Sequence, residues 1–297
     1  MSNIILLFAC LVSGTAIGWS KRFPPDAHLS LNAFILHISL PALILLQIHH
    51  IHLRSDVLYS VAMPWMLFAV GCGFFWSLGR AMRFSAATTG GLMLVGGLAN
   101  TSFVGLPMIE AFYGRSGIAT GILIDQLGTY LVLSTVGITV AALYSHGSTR
   151  ASAVLRRIIA FPPLIALALM RVDYPAWLVD SLRSLGGTLA PLALVSVGLQ
   201  LHLDRLRGNV SALAAGLTFK LLIGPVLVTL MYVWWLHARG QTIQITLFES
   251  AMGPQIGGAI VAIQHDLNPT LITLMVGIGI TLSFITLPAW WYALRAI

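Results

Sequence analysis

Apolar residues in this chain come in long runs separated by short polar connections. A helix needs about 20 apolar residues to cross the hydrocarbon of a bilayer. Runs of that kind lie at 3–19, 29–48, 57–79, 86–112, 117–145, 154–170, 184–201, 210–236, 244–264 and 269–294, which predicts ten spanning helices. The connections, such as Arg80–Ser85 and Tyr113–Ser116, are too short to hold a soluble domain, so the function must lie in the membrane part. Val172–Leu185, with Tyr174 and Trp177, is expected to lie partly along one interface. Trp19, Trp76, Trp234, Trp235, Trp290 and Trp291 fall near span ends, as an aromatic belt requires.

Composition sharpens this picture. Of 297 residues, 58% are hydrophobic and only 8% are charged, against about 25% charged in an ordinary globular protein. So few charges cannot cover a water-facing surface, and so apolar a chain does not stay disordered. The net charge of +7 does not point to nucleic acid, because the arginines sit singly in short loops. Membrane orientation explains them better. Taking alternate loops, one side holds Lys21, Arg22, Arg80, Arg83, Arg150, Arg156, Arg157, Arg205 and Arg207. The other holds Arg54, Arg115, Arg171, Arg183, Arg239 and Arg295. The first set is expected inside, which places both termini outside. Met1–Asn3 carries no cation and Lys21 and Arg22 follow the first run, the wrong polarity for a cleaved signal.

The halves of the chain echo one another about 150 residues apart. Pro41-Ala42-Leu43 matches Pro191-Leu192-Ala193, Ile51-His52-Leu53-Arg54 matches Leu201-His202-Leu203-Asp204, and Gly128, Leu131 and Thr135 match Gly279, Leu282 and Thr286. Two repeats of five spans, 1–145 and 146–297, enter the membrane in opposite senses. Inverted repeats with interrupted helices near the midplane are a signature of secondary transporters.

The interruptions are visible. Gly96-Gly97-Leu98-Ala99-Asn100-Thr101-Ser102-Phe103-Val104-Gly105-Leu106-Pro107 falls in the middle of the fourth span. Glycine and proline weaken a helix, and Pro107 leaves a carbonyl unpaired. Hydrocarbon cannot satisfy such groups, so they must face protein or a wet cavity. The ninth span repeats the device at Glu249-Ser250-Ala251-Met252-Gly253-Pro254-Gln255-Ile256-Gly257-Gly258. The bland alternative is a pair of packing motifs with a proline kink. Asp125 and Lys220 lie deep in spans, where a charge costs about 2.5–3.5 kcal/mol on insertion scales. Asp125 with Gln126 is a candidate ion-coupling pair, and Lys220 a candidate anion attractor. Glu110 and Glu249 lie toward helix ends and are expected to reach the interface.

Other chemistry is poorly supported. Cys10 and Cys72 have no motif spacing and read as small buried hydrophobes. His49, His50 and His52 cluster after the second span with only Asp56 as a nearby carboxylate, and read as a wet loop rather than a metal site. No Walker sequence is present, so this chain alone is not expected to use ATP. No nucleophile–base arrangement supports an intramembrane enzyme.

Several of these motifs together resemble the auxin efflux carrier family, over essentially the whole chain. Asn100-Thr101-Ser102-Phe103-Val104-Gly105-Leu106-Pro107 is similar to its fourth-helix motif, and Asp125-Gln126-Leu127-Gly128 to the fifth-helix motif of bacterial members. Leu189-Ala190-Pro191-Leu192-Ala193-Leu194 with Gly198 resembles the seventh helix, Glu249–Gly258 the ninth and Thr281–Trp291 the tenth. One departure is Met252-Gly253-Pro254, where bacterial members often have Met-Pro-Pro.

The resemblance implies an all-α membrane fold of ten helices in two inverted five-helix repeats, with helices 4 and 9 broken and crossing near the substrate. It implies a scaffold of helices 1, 2, 6 and 7 and a moving transport domain of helices 3–5 and 8–10. Members carry organic anions such as auxin, malate or malonate. The short His146–Ala153 connection favours a bacterial inner-membrane permease over a plant carrier. A carboxylate would be held by the amides following Asn100 and Gly253, with Thr101, Gly105, Pro107, Pro254, Gln255 and Lys220 completing the site. Asp125, Gln126 and Glu249 would carry a coupling proton or sodium ion, and no other cofactor is expected. The expected partners are the bilayer and a small organic anion, with a homodimer left open. A uniporter or exporter of a weak hydrophobic acid is the alternative.

Overall fold

The computed structural model describes residues 2–20, 22–24, 26–47, 56–145, 174–199 and 208–297. Among them every regular element is helical. The helices are α1 (Ser2–Ser20), α2 (27–47), α3 (Asp56–Ala81), α4 (Ala86–Gly97), α5 (101–113), α6 (Arg115–Tyr144), α7 (Ala176–Leu199), α8 (Val210–Trp235), α9 (Gln241–Ser250), α10 (Ile256–Gln264) and α11 (Pro269–Leu294). Among the described residues, six helices are long and apolar enough to cross a membrane: Ala27–Leu46, Val57–Ala81, Arg115–Tyr144, Ala176–Leu199, Val210–Trp235 and Pro269–Leu294. The expected span 154–170 and the histidines at 49, 50 and 52 lie outside the described residues, as do Arg150, Arg156, Arg157, Arg205 and Arg207.

Two of the expected spans are not single helices. The fourth divides into α4 and α5, because Leu98 is extended and Asn100 leaves helical geometry. The ninth divides into α9 and α10 over Ala251–Gln255. The seventh begins earlier than its apolar run. Pro175, which cannot donate a backbone hydrogen bond, stands at the start of a helix from Ala176 to Gly187. That helix continues past Thr188 to Leu199, so the stretch expected along an interface forms the first turns of α7.

The helices pack in two sets. α1 and α2 lie against α7, and α1 meets α7 backbone to backbone. A Cβ on Gly198 would sit 2.5 Å from the carbonyl oxygen of Leu11 and 2.6 Å from the amide nitrogen of Thr15. Such small-residue crossings are how helices associate where lipid offers no hydrophobic drive. α3, α6, α8 and α11 surround the four half-helices instead. Asn268 fastens the entry of that set. Its Oδ1 accepts the Leu271 N–H, and its Nδ2 donates to Thr88 Oγ1 at 2.9 Å and Asn209 Oδ1 at 3.1 Å. One side chain thereby ties the starts of α4, α8 and α11. Asn268 does so from a left-handed backbone, φ 50°, a conformation asparagine tolerates better than most residues.

The close crossing makes a prediction. Gly198→Ala should destabilise the protein by about 1–3 kcal/mol, as overpacked sites do. The drop should appear as a lower apparent melting temperature in detergent. Gly187→Ala, where a Cβ meets nothing within 4 Å, should change it little.

Candidate functional site

Breaking two helices in the core frees backbone groups that hydrocarbon cannot satisfy. Here the two breaks satisfy each other. The Asn100 N–H donates to the Gly253 carbonyl at 2.9 Å. Ala99 and Pro254 form an antiparallel β-bridge, the isolated sheet-like pairing among the described residues. Asn100 then starts α5: its Oδ1 accepts the Phe103 N–H at 3.2 Å, and its carbonyl accepts the Gly105 N–H at 2.9 Å. Pro107 falls in the first turn of the regular α-helical part of α5, where the missing N–H is least costly. Pro254 has room because residue 279 of α11 is glycine: a Cβ on Gly279 would lie 2.5 Å from the proline ring. At Gly253 a Cβ would sit 3.0 Å from Ile280 Cα, so a side chain there needs α11 to give way.

The half-helices cross as two pairs of ends. The end of α4 lies beside α10, where a Cβ on Gly258 would approach the Leu94 carbonyl to 3.0 Å. The end of α9 lies beside α5, where the Glu249 carboxyl abuts Gly105. A helix start carries partial positive charge and a helix end partial negative charge. Two of these ends meet a countercharge. Asp125 accepts hydrogen bonds from the Thr101 and Ser102 hydroxyls at the start of α5, and from Gln126 Nε2 at 2.7 Å. Lys220 Nζ donates to the carbonyl of Ser250, the last residue of α9, at 2.9 Å. Both charged residues sit in π-helical stretches, 124–130 and 219–223, a local widening often found at functional sites. The Leu221 carbonyl beside Lys220 accepts the Trp290 indole N–H at 3.0 Å.

The start of α10 has no such partner. Gln255 stands at its cap position without a capping hydrogen bond from its side chain. Its Oε1 is buried and unpaired, as are Asn100 Nδ2 and both carboxyl oxygens of Glu249. Each such buried group costs about 1–3 kcal/mol, so their concentration at one crossover needs a reason beyond packing. Asn100, Thr101, Asp125, Gln126, Lys220, Glu249 and Gln255 are all buried; Glu249 does not reach the interface as expected, because the break in the ninth span puts the end of α9 inside the core. Gly105, Gly253 and Pro254 are buried with them.

Pro107 differs, since it also lines a cavity of about 490 Å³. That cavity lies between Leu43, Gly186 and Ala190 of α2 and α7 and Leu106, Glu110 and Arg115 of α5 and α6. Glu110 pairs there with Arg115 at 3.2 Å. Neither this cavity nor the pairing of Lys220 with Ser250 follows from the sequence pattern. Ser250 does stand next to Glu249 at the end of the interrupted segment, which is the one signal in the sequence that could have pointed to it.

The contact of Glu249 with Gly105 makes a prediction. Gly105→Ala adds one methyl where the carboxyl lies, so it should cut ligand binding at least tenfold while the protein still inserts and stays monodisperse. Gly73→Ala, where a Cβ meets nothing within 4 Å, should bind as the unaltered protein does. Equal thermal shifts for both variants would contradict the geometry.

The comparisons with known proteins point to membrane transport. The chain is 29% identical over 276 residues to an uncharacterized transporter of Methanothermobacter thermautotrophicus, covering 88% of this chain and 87% of that one. It is 26% identical over 280 residues to an uncharacterized transporter of Methanocaldococcus jannaschii, covering 89% of each. A family model described as membrane transport protein matches residues 1–291. With two interrupted helices crossing in an apolar core and that match spanning nearly its whole length, the chain belongs to the auxin efflux carrier-like membrane transport family.

Proposed function

We propose that this protein is a secondary transporter of small organic anions, carboxylates above all, working by alternating access. The observation that carries the reading is the crossover itself. It holds an uncapped helix start at α10, an unpaired amide donor on Asn100 and an unpaired carbonyl on Gln255, all buried. A helix start is a ready anion site. Since Asp125 and the Asn100 side chain already engage the start of α5, α10 is the end left for a substrate carboxylate. Asn100, Thr101, Gly105, Pro107, Gly253, Pro254 and Gln255 then form the substrate site. Lys220 supports it from the end of α9, and Asp125, Gln126 and Glu249 form the coupling region.

The packing favours an elevator-like movement. α1, α2 and α7 form one set, and the crossover travels with α3, α6, α8 and α11 in the other. The first set corresponds to the scaffold and the second to the transport domain of a ten-helix, twofold inverted repeat divided at residues 145 and 146. In this reading the protein resides in a bacterial inner membrane with the cation-rich loops inside and both termini outside.

Binding is the direct test. A ligand that binds only the folded state stabilises it by about 2.7 kcal/mol at a hundredfold excess over Kd. Malonate or malate should therefore raise the apparent melting temperature of the purified protein, and malonamide, the uncharged analogue, should not. Asn100→Ala should abolish the shift without changing the melting temperature of the free protein by a comparable amount. An absence of any shift across a panel of carboxylates, or a full shift in Asn100→Ala, would reject the site.

A further inference from the structure

Three ionisable side chains lie in the core beside the crossover, and they are held very differently. Asp125 accepts three hydrogen bonds, two of them from hydroxyls at a helix start. Lys220 donates to a carbonyl at a helix end. Each arrangement sets a charge against the opposite end of a helix dipole, so ionisation costs Asp125, with its three donors, less than it costs a buried carboxyl with none. Glu249 is equally buried, yet neither carboxyl oxygen has a hydrogen-bond partner. Two glycines leave room for it: a Cβ on Gly105 of α5 would collide with the carboxyl, and one on Gly121 of α6 would lie 3.7 Å from Oε1. Among the described residues, Asp125 of α6 and Lys220 of α8 are the charged groups that act on it from the elements packed around it.

Charge balance separates the roles. With Asp125 negative and Lys220 positive, the core is neutral only while Glu249 carries a proton. If Glu249 is ionised, the core is net negative before any substrate arrives, and an anion entering it adds a second uncompensated charge in a medium of low dielectric. We propose that Glu249 is the proton-binding site of this carrier, taking up one proton with each substrate anion, while Asp125 stays ionised as a fixed brace of α5. The assignment rests on the organic-anion reading above and names its coupling ion. The step is a simple one: a Glu249 carboxylate oxygen forms an O–H bond with a proton from water on one side and gives that proton up on the other. Nothing is oxidised or reduced. A carboxyl without a hydrogen-bond partner suits a proton, which needs no coordination shell.

The experiment has two arms on the full-length protein. In lipid vesicles, radiolabelled malonate uptake and the accompanying proton movement are measured together under an imposed pH gradient. In detergent, infrared difference spectra follow the carbonyl stretch of protonated carboxyls through a pH titration. The unaltered protein should move about one proton per malonate and show a protonated-carboxyl band. Glu249→Gln should lower that ratio to about zero, flatten the pH dependence of uptake and remove the band. Asp125→Asn should keep the band. If Glu249→Gln does not fold, Glu249→Asp should shift the band in its place. A band that survives Glu249→Gln, or one that vanishes in Asp125→Asn instead, overturns the assignment. Should the unaltered protein move neither malonate nor malate, the organic-anion reading fails, and the infrared arm still decides whether Glu249 binds the proton.

Discussion

A backbone hydrogen bond between two broken helices organises this protein. Once helices stop in an apolar core, their free amides and carbonyls must find partners inside the protein, since lipid offers none. The Asn100 N–H and the Gly253 carbonyl supply that closure, and the bridge between Ala99 and Pro254 extends it. Everything nearby accommodates the closure. Gly279 yields space to the Pro254 ring, and Gly258 lets α10 approach α4. Asn268 holds together the distant starts of three helices that enter the same set.

A second constraint follows from the first. Four helix ends meet in a medium where partial charges act over a distance, and the chain answers unequally. The start of α5 receives Asp125, and the end of α9 receives Lys220. The start of α10 receives no side chain of its own. That inequality turns a structural kink into a candidate binding site: a fold built only for stability would cap each end, whereas this one leaves a donor end, an amide and a carboxyl unpaired in its core. Natural proteins accept such local costs mainly at functional sites.

Much of this is legible in the residues, for identifiable reasons. Gly96-Gly97 and Pro107, and Gly253-Pro254, announce breaks because both residue types act on the backbone directly. The spans at 57–79, 210–236 and 269–294 are plain because an apolar run of that length matches the thickness of a bilayer and exceeds what a water-soluble core requires. Pairings across the fold are not legible. Nothing in the order of residues says that Lys220 reaches the Ser250 carbonyl, or that the Glu249 carboxyl faces Gly105 without a donor. Asp125 stands out as an expensive charge in mid-span, but it braces α5 from a π-helical stretch at 124–130, which no pattern of apolar residues encodes. The true start of α7 escapes a hydrophobic-run criterion because Ala176–Gly187 mixes polar with apolar residues.

A structure with bound malonate would show whether the crossover holds the substrate. Density for a carboxylate is expected at the start of α10, within hydrogen-bonding distance of Asn100 Nδ2, with Asp125 still engaged by Thr101 and Ser102. Density confined to the cavity between Leu43, Arg115 and Arg183, with the crossover unchanged and its polar atoms still unpaired, would contradict it.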